Sequence, residues 1–343
     1  DDLAALTSAQ LRGLATRDLS AFDSADLGRL TSVQITGFTS TQLHALDSAD
    51  MVGLTTDALN ALSSQQIAGF TTAQLGALGS DQWQAIGTRT LPGLTTDQMM
   101  GLASDDLIAL TSTQLQALGT AQVAALTTLQ VKNLGSEDIA TLTTAQLRAL
   151  ETRAVVALDT EDLAALGSAQ LAAFSTAQVR ALDSADVAAI TTAALQGLSA
   201  NGVGALSTRQ MAAMGSDQWQ SLSSTELRGL STEQVAGMAS DDLGSLTSNQ
   251  LASLSNAQWG AVSTARIAAL GSEDVAALTT GQLHSLSTAA IAALDSVDVA
   301  ALSTAQVAAL GSDQLLALET QDLAAMGTAG LAAIATAHIQ AFS

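Results

Sequence analysis

Apolar residues recur along the chain at two fixed places in every eight residues. Counted from Leu6, position 1 of each octad is Leu, Phe, Ile, Met or Val, and position 6 is Leu, Val, Ile, Met or Trp. This pattern continues to Ile334 without an insertion or a deletion, which is the signature of a tandem-repeat protein. Positions 1 and 6 are therefore the predicted core of forty-two octads.

The spacing of these apolar positions predicts short helices. Position 6 and the next position 1 are three residues apart and share one face of a helix, whereas the other gap of five residues fits neither a sustained helix nor a sustained strand. The chain must therefore change direction once in each octad. We expect one helix per octad, from about position 4 to position 8 or to the next position 1.

Hydroxyl residues mark the predicted helix starts. Position 3 is Ser or Thr except at Ala200 and Asn256, and a second Ser or Thr often stands at position 2. We expect the position-3 hydroxyl to accept the exposed N–H groups of a new helix. Ser303 and Gln306 also have the spacing of a capping box. Helices this short are unstable in isolation, so the octads must stack on one another as a solenoid.

A β-solenoid is the alternative fold, because Thr and Val recur and some β-helices use short repeats. The abundance of Ala, Leu and Gln disfavours strands, and no alternation with a period of two supports them. We therefore predict an all-α solenoid.

A second period sets the number of octads in each coil. Acid-rich octads recur every three or four octads, with a mean near 3.4, and Trp83 recurs seventeen octads later as Trp219. A coil would then hold about 3.4 octads, or roughly 27 residues. With packed helices about 8–10 Å apart, residues 1–343 would form a rod on the order of 100–130 Å long. We expect a single continuous solenoid that is a segment of a longer chain or a subunit of a polymer.

Charge and composition exclude several kinds of function. The net charge of −21, from 32 acids and 11 bases, argues against nucleic acid and anionic membranes as partners. No apolar stretch is long enough for membrane insertion. Cysteine is absent, and His44, His284 and His338 lie in ordinary octads without the pattern of a catalytic triad. We expect neither an enzyme nor a bound cofactor.

The acid-rich octads have two interpretations. Carboxylates in the first turn of a helix are favoured by the helix dipole, which is a purely structural role. Alternatively, stacked carboxylates could bind a hard divalent cation such as Ca²⁺. The candidate cation ligands are Asp23, Asp26, Asp47, Asp50, Asp159, Asp162, Asp183, Asp186, Asp295 and Asp298.

The octads also resemble a known kind of sequence. The segments LSTAQVAAL (302–310), LTTAQLRAL (142–150) and LGSAQLAAF (166–174) are similar to the tandem short repeats of very large secreted bacterial surface and adhesin proteins. The resemblance covers the whole chain and implies an extracellular or cell-surface scaffold. It transfers no functional residue.

The predicted function is structural: a rod, stalk or filament segment that self-associates through neutral faces rich in Ala, Gln, Ser and Thr. One alternative is a surface-binding module that uses the periodic acidic face for calcium, or a Thr and Ser face for polysaccharide or ice. Another is a peptide-binding scaffold with a concave groove, for which coils of about 27 residues leave little room.

Overall fold

The architecture is entirely helical over the residues that the computed structural model describes, which are 5–334 and 338. Within that range each regular element is a short α-helix or a 3-10 helix, and no strand occurs. The prediction of an all-α solenoid with one helix per octad is confirmed. The β-solenoid alternative is wrong for these residues.

The chain divides into two compact units, Asp1–Leu166 and Gly167–Ser343. The single continuous solenoid stays a prediction. The 3-10 helices of the first unit include Ser48–Gly53 and Leu91–Gly93. Its α-helices are α1 Ser8–Arg12, α2 Thr16–Leu19, α3 Ser24–Leu27, α4 Ser32–Ile35, α5 Ser40–His44, α6 Thr56–Asn60, α7 Ser64–Ile67, α8 Thr72–Gly76, α9 Ser80–Ala85, α10 Thr96–Gly101, α11 Ser104–Ile108, α12 Ser112–Ala117, α13 Thr120–Ala124, α14 Thr128–Asn133, α15 Ser136–Thr141, α16 Thr144–Ala149, α17 Thr152–Val155 and α18 Thr160–Ala165.

The second unit continues the same pattern of one short helix per octad. Its α-helices are α19 Ser168–Leu171, α20 Thr176–Ala181, α21 Ser184–Ala189, α22 Thr192–Leu195, α23 Ala200–Val203, α24 Thr208–Met211, α25 Ser216–Ser221, α26 Ser224–Arg228, α27 Thr232–Gly237, α28 Ser240–Gly244, α29 Ser248–Ser253, α30 Asn256–Gly260, α31 Thr264–Ile267, α32 Ser272–Ala277, α33 Thr280–Ser285, α34 Thr288–Ile291, α35 Ser296–Ala301, α36 Thr304–Ala309, α37 Ser312–Leu316, α38 Thr320–Ala325 and α39 Gly327–Ala333.

The helices begin one residue earlier than the sequence predicts. In α16 the N-cap is Thr143 at position 2, whose backbone is extended and whose hydroxyl accepts the N–H of Gln146. Thr144 at position 3 is already the first helical residue, so the expectation that position 3 supplies the cap is wrong. The physical reason is that an N-cap hydroxyl reaches the N–H three residues later, and position 5 carries the side chain that returns the bond. The capping box predicted at Ser303 and Gln306 is confirmed.

The core has the predicted composition. Position-6 side chains such as Leu163 and Trp83 are fully buried, and position-1 side chains such as Leu166 are only 3% exposed. Each buried Leu stabilises the folded chain by about 1.5–3 kcal/mol relative to an exposed one. Because neither apolar position makes a core within one octad, this stabilisation depends on stacking between coils.

Helices stack on helices about three octads away within each unit. In the first unit α1 packs on α4 and α15 packs on α18, and in the second α32 packs on α35, which packs on α38. Some coils approach so closely that only glycine fits at position 8. A Cβ on Gly53 would lie 2.0 Å from the carbonyl oxygen of Ser24, which belongs to the preceding coil.

One corner differs from the others. Helix α39 begins at Gly327, which has a φ of 65°, the left-handed region that favours glycine. The extended N-cap of helices α1–α38 is missing there, since Met326 has helical angles. The regular octad geometry therefore ends at α38.

Candidate functional site

The recurrent polar feature of the interior is a glutamine at position 5. Gln146 is only 2% exposed, and its Oε1 accepts the N–H of Thr143 at 2.9 Å. Its Nε2 donates to the carbonyl oxygens of Leu115 and Leu118, both at 2.8 Å, which lie 31 and 28 residues earlier. One side chain thus closes the N-terminus of its own helix and bonds to the preceding coil.

Other donors take the same place where glutamine is absent. At position 5 of its octad, Thr90 donates through Oγ1 to the carbonyl oxygen of Leu62 at 2.5 Å. Arg266 at position 5 donates through Nε to the carbonyl oxygen of Met238. Both acceptors stand 28 residues earlier, so the bond between coils is kept while the side chain changes.

A second set of bonds joins coils at the surface. Position-7 side chains donate to the position-8 carbonyl 25 residues later, as Arg228 does to Ser253 at 3.0 Å. His44 and His284 lie at the same position, with Nδ1 3.0 Å from the Gly69 carbonyl and 3.1 Å from the Ala309 carbonyl. The position-7 bonds span 25 residues, which is slightly less than the predicted coil. The glutamine bonds span 28 or 31 residues, which is slightly more.

The predicted cation ligands are used in helix caps. Asp295 is the N-cap of α35, and its Oδ1 accepts the N–H of Val297 and of Asp298. In return Oδ2 of Asp298 accepts the N–H of Asp295 at 3.1 Å. The pairs Asp23 with Asp26, Asp159 with Asp162, and Asp183 with Asp186 form the same capping box.

Asp47 and Asp50 differ from these pairs. Asp47 caps the 3-10 helix Ser48–Gly53 by accepting the N–H of Ala49 at 3.0 Å, and Asp50 lies in the first turn of that helix. Among the described residues no group of three or more His, Cys, Asp and Glu side chains is placed to hold a metal ion. The calcium interpretation stays a prediction, and it would need carbonyl oxygens or water as additional ligands.

Several aspartates at position 5 have a pKa above the ordinary aspartate value. Burial raises the pKa of the Asp274 and Asp298 carboxyls, against the opposing effect of the backbone N–H groups of their N-caps. Burial likewise raises the pKa of Asp106, Asp138 and Asp242. These are the residues that stand where glutamine stands in other octads.

The three tryptophans are core residues, as predicted. Each is fully buried at position 6. The indole N–H of Trp259 donates to the carbonyl oxygen of Leu251 at 3.1 Å, whereas those of Trp83 and Trp219 have no partner in hydrogen-bond geometry. The latter two groups still face the carboxyls of Asp106 and Asp242 closely enough to lower the pKa of each, against the larger effect of burial.

Sequence reasoning missed the buried glutamines. Their recurrence at position 5 was explained by the capping box alone, which uses only the amide oxygen. The available signal was the preference for Gln over Glu, since both close a capping box but only the amide also donates.

These features define a class: a helical tandem-repeat protein whose coils are joined by polar side chains at fixed offsets. The model of the ALTTAQ repeat matches ten times in tandem. The matched residues are 19–56, 55–88, 99–136, 131–161, 155–192, 180–216, 211–248, 235–272, 267–302 and 291–321. The chain belongs to the ALTTAQ repeat family.

The search of curated proteins gave no match. No helix in the described part of the chain has both the length and the hydropathy needed to cross a membrane.

Proposed function

We propose that this structural repeat protein is an extracellular spacer, in which the number of octads sets the length of a stalk or filament. The observation that carries the proposal is the position-5 glutamine: the side-chain bonds of Gln146 to Thr143, Leu115 and Leu118 all serve the fold. The same pattern supports a non-catalytic role, because the recurring polar side chains of the interior are committed to caps and to bonds between coils.

Stiffness is the property that such bonds provide. A buried amide bonded on both sides resists sliding of one coil over the next, since sliding leaves the carbonyl 28 residues earlier, such as that of Leu118, without a donor at a cost of about 1–3 kcal/mol. Repeated in successive octads, this resistance favours a rod over a flexible string.

Small-angle X-ray scattering of the purified chain tests the proposal. We expect a maximum dimension on the order of 100 Å and the scattering profile of a rod, from the stacking distance of packed helices. A compact or flexible particle would contradict it. Sedimentation at increasing concentration then tests association: a filament subunit gives growing assemblies, and a purely monomeric spacer does not.

The extracellular setting needs a separate measurement. We expect the protein in the medium or on the surface of intact source cells, where an added protease can reach it. Protection from protease until the cells are lysed would contradict this part of the proposal and leave the spacer role untouched.

A further inference from the structure

The stacked helices α32 and α35 carry an acid at position 5 in place of glutamine. In neighbouring octads Gln282 and Gln306 donate to the carbonyl oxygens of Leu254 and Leu278, each 28 residues earlier and 2.7 Å away. The corresponding acceptors for Asp274 and Asp298 are the carbonyls of Leu246 and Leu270. Within the described part of the chain, no protein group donates a hydrogen bond to either carbonyl.

Asp322 shows how an aspartate sits at this position. It lies in α38, which packs on α35, and it is only 2% exposed. Its Oδ2 accepts the N–H of Glu319 at 3.0 Å, whereas its Oδ1 is buried and has no hydrogen-bond partner. An ionised carboxylate only accepts hydrogen bonds, so it cannot pair with a carbonyl of the preceding coil.

We propose that Asp274 and Asp298, here named the acid pair, form a joint between coils that tightens on acidification. When ionised, the two carboxylates leave the Leu246 and Leu270 carbonyls without a donor and weaken the stacking. When protonated, each carboxyl keeps one oxygen for its N-cap N–H and offers an O–H to the preceding coil, as the glutamine amide does. The proton comes from solvent, and no other bond changes.

The charged groups around the acid pair do not offset its charge. The helices packed on it carry Glu273 on α32 and Asp322 on α38, with the N-caps Asp295 of α35 and Glu319 of α38; α29, which packs on α32, carries no titratable side chain. Arg266 on α31 is the cation of this region, and its Nε is directed to the Met238 carbonyl instead.

The sign of the effect follows from the burial of the acid pair. Burial raises the pKa of both carboxyls in the folded chain, and the neighbouring Glu273 and Asp295 act in the same direction. A carboxyl with a raised folded pKa contributes its full stability below the ordinary aspartate pKa and loses it as pH rises through the folded value. Stacking at the acid pair is therefore strongest in acid and weakest at neutral pH.

Hydrogen exchange in the unmodified chain tests the joint directly. Protection factors of amides in α32 and α35 are compared with those in α33 and α36, whose octads carry Gln282 and Gln306, between about pH 7 and pH 4. We expect protection in α32 and α35 to rise on acidification relative to the two control helices. An equal change in all four helices, or a relative loss in α32 and α35, would overturn the proposal.

Substitution gives a second test. The double variant Asp274→Gln, Asp298→Gln is compared with Asp217→Gln, Asp313→Gln, which removes the same charge from two exposed position-4 acids. We expect the first variant to melt several degrees above the second at pH 7.5, with the difference vanishing near pH 4, where wild-type carboxyls protonate. No difference, or one independent of pH, would argue against the joint.

Discussion

At the scale of single residues, position 5 combines two tasks that proteins usually give to separate groups. Gln66 is 6% exposed; it accepts the N–H of Ser63 and donates to the carbonyls of Ile35 and Phe38, all at 2.9 Å. A hydrophobic residue of the same size would fill the space but would leave the Ser63 N–H and the Phe38 carbonyl without this partner, while the Ile35 carbonyl would keep the N–H of Phe38. The cost of such a change is therefore set by hydrogen bonding and not by volume.

We predict that Gln66→Met lowers the free energy of unfolding by about 1–3 kcal/mol, because buried donors and acceptors lose their partner. The neighbouring Gln65 lies at position 4 and is exposed. Gln65→Met should change stability by less than about 0.5 kcal/mol. Urea unfolding of both variants measures the difference, and equal effects would show that the amide contributes no net stability.

The two kinds of buried position were not equally predictable. Positions 1 and 6 could be identified because burial of apolar side chains leaves a periodic pattern in the sequence. Position 5 could not, because its partners are backbone carbonyls of the preceding coil, and backbone groups are the same in every residue.

At the scale of helices, the caps decide where each element begins. Thr143 accepts the N–H of Gln146 at 3.3 Å, and its own N–H is bonded to the Gln146 amide oxygen at 2.9 Å. Helices of four to seven residues have few internal hydrogen bonds, so a cap satisfies a large share of their free N–H groups. The octad pattern predicted the existence of these caps but misplaced them by one residue, because both positions carry hydroxyls.

Paired substitutions in one octad separate the two hydroxyl positions. We predict that Thr143→Val destabilises the chain by about 1 kcal/mol, since valine keeps the shape but cannot accept the N–H of Gln146. Thr144→Val, at the first helical residue, should have little effect. Thermal unfolding of the two variants measures the two losses of stability. A larger loss for Thr144→Val would show that the hydroxyl at position 3 is the cap.

At the scale of the whole molecule, charge is the dominant long-range interaction. The excess of acids gives a net charge of −21, and the described ion pairs, such as Arg153 with Glu151 at 2.8 Å, are exposed and contribute little. Repulsion among the acids is screened by salt over a Debye length of about 8 Å at physiological ionic strength. The stability of the chain should therefore rise with added sodium chloride.

The calcium interpretation is tested by comparing the effect of Ca²⁺ on stability with the effect of salt screening alone. We expect Ca²⁺ and Na⁺ at matched ionic strength to raise the melting temperature equally, because the candidate carboxylates such as Asp295 and Asp298 already accept backbone N–H groups. A rise specific to Ca²⁺ that is reduced in the variant Asp295→Asn, Asp298→Asn would instead establish a cation site. Differential scanning calorimetry in the two salts makes the comparison.

The fixed offsets of the glutamine bonds have a consequence for changes in chain length. Gln146 recognises backbone carbonyls at positions 6 and 1, which every octad offers, and not the identity of the octad below. Loss or gain of one whole octad by unequal recombination would therefore leave each downstream glutamine with an equivalent pair of acceptors. The same event between two acid-bearing octads would change the spacing of their acids, such as that of Asp298 from Asp274. The core can therefore vary in length octad by octad, whereas the stacking of one acid-bearing octad on another is kept only when the octads between them are unchanged.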